Sequence, residues 1–203
     1  MVGRMGKLCL VFAWALLAVA NAPAQLVSVG ALGGVRLTDG FEYFQDASRI
    51  YDVGGSVEFR LPAGFAVEAD ALYQRMGEAY SFFEANGALS SAFSSRERAN
   101  VWEFPLLGKY YFRPRSARWR PFVGAGFAFR TASVHGNYAT APPATFATFD
   151  FRLNVETGVA AVAGFRFQLG PVALLPQARY TYWGNNTQGL AKNEATLLLG
   201  VSF

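Results

Sequence analysis

"YDVGGSVEFR", residues 51–60, decides the fold. Tyr51, Val53, Gly55, Val57 and Phe59 occupy one phase of a two-residue period, and Asp52, Gly54, Ser56, Glu58 and Arg60 the other. Period two is the signature of a strand whose successive side chains point to opposite faces. One face of this strand is uncharged, and the other carries Asp52, Glu58 and Arg60. After "LPAG" the pattern returns over residues 65–75, with Phe65, Val67, Ala69, Ala71 and Tyr73 opposed to Ala66, Glu68, Asp70, Leu72 and Gln74.

The same rhythm runs through eight stretches, near 27–37, 50–60, 65–75, 102–112, 120–130, 156–168, 172–182 and 195–203. Each is about ten residues, the length a tilted strand needs to cross a bilayer. When each strand's phase is fixed by its bulky apolar residues, every charge falls on the other face. These are Arg36, Asp52, Glu58, Arg60, Glu68, Asp70, Glu103, Lys109, Arg120, Arg130, Glu156, Arg166 and Arg179. Such segregation follows if the apolar face meets lipid, where a mid-bilayer Lys or Arg costs about 2–4 kcal/mol. A soluble barrel or sandwich also alternates, but it turns its charges to water and its aromatics inward. Thirteen ionisable groups are too many for a dry soluble core. The expected fold is all-β, an eight-stranded antiparallel up-and-down transmembrane barrel with these charges in its lumen.

Connections alternate in length. "LPAG", "RPRSARW" and "LGP" are short, whereas residues 38–49, 76–100, 132–155 and 184–194 form long links. Short periplasmic turns and long extracellular loops are the pattern of outer-membrane barrels, which puts the chain ends on the periplasmic side. Aromatics gather near the strand ends, with Phe59, Phe65, Phe112 and Trp119 on the short-turn side. Tyr51, Tyr73, Trp102, Phe129, Tyr182 and Trp183 fall at the other, so both sets read as interfacial girdles. Pro105 and Pro176 interrupt strands and each removes a ladder donor, so a bulge is expected at each.

Residues 1–24, "MVGRMGKLCLVFAWALLAVANAPA", have a basic start, a short apolar run and a small-x-small site. They read as a secretory signal removed before Gln25, leaving residues 25–203 as the barrel domain. Cys9, the single cysteine, lies in that signal, so disulfides and cysteine chemistry are not expected in the mature chain. Without Arg4 and Lys7 the formal charge falls from +4 to +2, far from the basic surface that nucleic-acid binding needs. No metal cluster, phosphate loop or calcium repeat is recognisable, and no cofactor is expected.

The signal, the eight strands, "EFPLLGKYYF" from Glu103 to Phe112 and the ending "LLLGVSF" carry a family resemblance. Over residues 25–203 the chain resembles the small eight-stranded outer-membrane β-barrels of Gram-negative bacteria, the OmpA/OmpX-like group. The resemblance implies an outer-membrane, monomeric protein in contact with lipid. It also implies that Leu197, Leu199, Val201 and Phe203 form the terminal signal read by the barrel-assembly machinery. The peptidoglycan-binding domain that some relatives append is not expected.

Function is less sharply drawn. An eight-stranded barrel is just wide enough for side chains to fill. The near-balanced lumen charges therefore read as an internal ion-pair network plugging the barrel, with a narrow pore as the alternative. Tyr80, Phe82, Phe83, Phe93, Tyr138, Phe146 and Phe149 lie on long links; either they are candidate contacts for an extracellular ligand, or the strands run on above the membrane and these aromatics pack among themselves. Arg96 and Arg98 are candidates for anionic lipopolysaccharide. A lipid-modifying enzyme would rest on Ser133 and His135, with Asp150 or Glu156 to orient the base. Their order and surroundings do not match the lipid-deacylase barrels, and no catalysis is expected.

Overall fold

The computed structural model describes residues 26–38, 51–86, 89–141, 145–184 and 190–203. The secretory-signal reading of residues 1–24 lies outside them. Nine strands follow in chain order: β1 Val27–Arg36, β2 Tyr51–Arg60, β3 Phe65–Asn86, β4 Leu89–Tyr111, β5 Trp119–Ala141, β6 Thr145–Arg152, β7 Glu156–Leu169, β8 Val172–Trp183 and β9 Asn193–Ser202. Eight of them pair antiparallel with their neighbours around a closed ring. The ring closes where β9 meets β1, Ala31 opposite Val201 and Val35 opposite Leu197. Closure removes the unpaired edges that an apolar sheet would otherwise expose. The last residue is tied in as well, because the Phe203 amide donates to the Val29 carbonyl at 2.9 Å. Ser28 Oγ in turn donates to the Phe203 carbonyl at 2.9 Å.

Two of the expected long loops are strands. Residues 76–86 continue β3 and residues 89–100 begin β4, paired in unbroken register out to Asn86 opposite Leu89. Residues 132–141 continue β5, and residues 145–152 return as β6, which pairs with β5 alone, from Ser133–Arg152 to Thr140–Thr145. A four-stranded wall therefore rises beyond the ring on one side. Alternation persists there, but small and polar residues such as Ser81, Ser94, Ser95 and Thr148 weaken the apolar phase that marks the membrane strands.

The bulges expected at Pro105 and Pro176 are absent. The β3–β4 register resumes unchanged from Ala69–Leu106 to Leu72–Glu103, and β7–β8 resumes from Gly164–Gln177 to Phe167–Leu174. Each proline opens its ladder locally instead of inserting a residue, and the intact β4–β5 and β8–β9 ladders hold the strands in place. At the short-turn end, "LPAG" contains the 3-10 turn Pro62–Gly64. Gly64 has φ of +86°, and a Cβ there would meet the Tyr111 carbonyl at 2.7 Å, so this tight turn requires glycine.

Candidate functional site

The outer wall of the ring is apolar. Val53, Val67, Trp102, Phe104, Leu106, Val123, Phe127, Val159, Phe165 and Leu199 are all exposed on it. Aromatic residues flank the band, with Phe59, Phe65, Phe112 and Trp119 exposed near the short turns and Tyr51, Phe129 and Tyr182 exposed at the opposite rim. Tyr73 packs at a tilt against Trp102 there, with ring centroids 5.3 Å apart. Trp183 corrects the expected girdle, since it is fully buried inside the barrel. It follows Tyr182 by one residue, so the strand's alternation sends it to the other face.

Of the thirteen charged residues assigned to the lumen, all but Arg60 are buried, and the Arg60 side chain is 16% exposed. The structure adds Glu194, which precedes the quoted last strand by one residue and continues its inward phase of Thr196, Leu198 and Ser202. Among the described residues the interior then holds seven carboxylates and seven cations.

They form three layers. Toward the long-link end, Arg130 Nε and Nη2 donate to Glu156 Oε2 at 2.9 and 2.5 Å. Its guanidinium lies 4.2 Å from the Trp183 ring, and Glu194 is 3.7 Å away. Arg36 donates to Gln74 Oε1 at 2.7 Å, and Gln74 Nε2 donates to Glu103 at 2.5 Å and to Glu194 at 3.2 Å. Asp52, opposite Gln74 on β2, completes this acid-rich layer. In the middle, Lys109 pairs with Glu68 and Arg179 with Asp70, each at 2.5 Å. At the short-turn end, Glu58 accepts from Tyr111 Oη at 2.5 Å and from Arg60 Nε at 3.2 Å, with Arg166 3.8 Å away and Arg120 stacked on Tyr111.

Above the acid-rich layer the interior turns apolar. Met76, Ala99, Val101, Ala132 and Val134 project from the rising strands, and Leu153 and Leu190 fold in from the connections after β6 and β8. The Leu153 amide donates to the Ala132 carbonyl at 2.9 Å. Neither leucine stands in a periodic run, so sequence alternation could not place it. Phe149, expected as a ligand contact, packs partly buried against this cluster. The other predicted contacts lie on the rising wall. Tyr80, Phe82, Phe93 and Tyr138 form a chain of ring contacts, with centroids 6.1 to 6.4 Å apart, and Phe83 and Phe146 are exposed.

His135 lies on the outside of that wall, with Nδ1 2.5 Å from Asp150 Oδ1. Glu156 is instead inside the barrel against Arg130. Asn100, opposite Ser133 in the β4–β5 ladder, has its side-chain oxygen bonded to Tyr73 Oη at 2.8 Å. Arg96, Arg98, His135, Asn137, Thr148 and Asp150 line an open depression of about 480 Å³ on this outer surface.

An apolar outer wall, a charged interior, a ring without edges and turns that are short at one end and long at the other define a transmembrane β-barrel of the outer-membrane class. No protein-family model matches the chain, and no curated protein sequence matches it. Among solved structures, it is similar to the N-terminal β-barrel domain of OprF from Pseudomonas aeruginosa, at 17% identity and a TM-score of 0.48 over 87% of this chain and 95% of that one. It is similar also to Neisserial surface protein A, at 16% identity and a TM-score of 0.49 over 87% and 95% of the two chains. Ail, the attachment invasion locus protein of Yersinia pestis, follows at 13% identity and a TM-score of 0.35 over 88% and 97%. The likeness is one of fold.

Proposed function

We propose that the protein is a closed, non-enzymatic outer-membrane barrel that presents its rising wall as an extracellular recognition surface. The observation that supports this reading is the set of side chains buried inside the ring: the Lys109–Glu68, Arg179–Asp70 and Arg130–Glu156 pairs, then the apolar cluster around Met76, Val101, Val134 and Leu190. An interior filled by side chains leaves the external surface to make contacts, and exposed aromatics on a rigid sheet suit a binding face. Phe83 and Phe146 are the most exposed of the candidate contacts. Leu197, Leu199, Val201 and Phe203 serve the assembly machinery as the closing strand's end signal, and the barrel acts as a monomer. The test is attachment of cells displaying the protein to a panel of matrix-coated surfaces. Trimming residues 79–95 and 136–149 to short turns is expected to abolish attachment while heat-modifiable gel mobility is kept. Undiminished attachment by the trimmed, folded barrel overturns the recognition role.

A narrow water path is the second reading. It is favoured by Gln177, whose amide oxygen and nitrogen are both buried with no hydrogen-bond partner in the protein. Polar groups in that situation hold ordered water.

A further inference from the structure

The layer of charge at the short-turn end does not balance. Three guanidiniums, those of Arg60, Arg120 and Arg166, share one carboxylate, Glu58. Arg120 and Arg166 stand directly opposite each other across the β5–β7 ladder, both inward and both buried. Like charges in that position repel. Arg166 Nη1 is buried and makes no hydrogen bond, the nearest carboxylate oxygen being 3.8 Å away. Arg120 spends its Nε on the Arg113 carbonyl, at 3.1 Å, and stacks its guanidinium 4.2 Å from the Tyr111 ring.

Among the described residues no other acidic side chain pairs with these guanidiniums. Glu68 and Asp70, the next carboxylates along the lumen, are held by Lys109 and Arg179. The turns "LPAG", "FRPRSAR" and "LGP" contain no Asp or Glu, and neither do residues 1–25. The opposite layer has the reverse imbalance, with Asp52, Glu103, Glu156 and Glu194 against Arg36 and Arg130. The two are not equivalent, because a carboxylate can be neutralised by a proton and a guanidinium cannot. A buried cation surplus needs an anion.

We infer that the periplasmic mouth of the lumen is a binding site for a phosphate group, bridged by Arg120 and Arg166 with Arg60 at its rim. Paired guanidiniums present planar forks of donors that match the oxygens of such an anion. The group is supplied either by inorganic phosphate or by a phospholipid headgroup of the inner leaflet. The site stands whether or not the lumen conducts.

The test uses the folded barrel in dodecyl maltoside micelles, which carry no phosphate, titrated with inorganic phosphate at constant ionic strength against chloride and followed by calorimetry. A second arm adds phosphatidylglycerol to the micelles without inorganic phosphate and follows the thermal unfolding midpoint. Saturable single-site binding in the first arm is expected, weakened at least about ten-fold in R120Q and in R166Q. In phosphate-free maltoside micelles the two variants are expected to unfold no earlier than wild type, since each relieves a repulsion. A purely structural role predicts earlier unfolding. A stabilisation confined to the phosphatidylglycerol arm and lost in the variants assigns the phosphate to a headgroup. Wild-type protein that responds in neither arm overturns the site, as does a response that both variants retain.

Discussion

Arg130→Met is the most informative single change to the interior. Arg130 gives Glu156 two hydrogen bonds, at 2.9 and 2.5 Å, lies 3.7 Å from Glu194 and stacks 4.2 Å from the Trp183 ring. Methionine keeps much of the packing volume and removes every charge contact. Glu156 and Glu194 then remain buried in a layer where carboxylates already outnumber cations. Breaking one partner of a buried pair in this way costs about 3–5 kcal/mol, most of it the uncompensated charge left behind. The loss of the stacked cation adds roughly 0.5–2 kcal/mol. Glu156→Gln is expected to cost less, because Arg130 retains Glu194. The double variant is expected to fall short of the sum of the singles by at least about 1 kcal/mol, the coupling of residues in one network. The assay is equilibrium urea unfolding in lipid vesicles, with tryptophan fluorescence reporting on Trp183 beside the change. A loss under about 1 kcal/mol for Arg130→Met, together with additive behaviour, would refute the reasoning and mark the interior as hydrated and screened.

Three further outcomes follow from the same geometry. Val123→Arg, at mid-height on the exposed apolar wall, is expected to cost about 2–4 kcal/mol in vesicles, and Trp119→Arg at the rim about 0–1 kcal/mol. A Cβ on Gly126 would collide with the Leu106 carbonyl, whereas one on Gly33 meets open space. Gly126→Ala is therefore expected to lower the yield of the heat-modifiable form and Gly33→Ala to leave it unchanged. Leu190→Ala is expected to cost about 2–5 kcal/mol in the apolar cap, read as faster amide exchange around Leu153 and Leu190 with the ring strands still protected.

The ring was legible because the membrane imposes a two-residue period on every spanning strand. The phase of "YDVGGSVEFR" alone separates Asp52 and Glu58 inside from Val53 and Phe59 outside. Where that constraint ends, the signal ends. The rising halves of β3, β4 and β5 pair as regularly as the ring but mix Ser and Thr into both faces and carry Arg96 and Arg98 on the outer one, so they read as loops. Leu153 and Leu190 enter the interior from connections without any period. Trp183 shows the converse: its type suits a girdle, but its phase sends it inward, and phase prevails. The layering of the charges was not legible at all. It depends on the stagger between strands, which brings Arg120 opposite Arg166 although the sequence separates them by 46 positions.

The central claim is that the interior is closed. Single-channel recording of the barrel refolded into a planar bilayer tests it most directly, with heat-modifiable mobility confirming the fold. Folded protein that gives no discrete steps is the predicted result. Steady conductance steps whose ion selectivity changes with Lys109→Glu would contradict it and make the interior charges the lining of a pore.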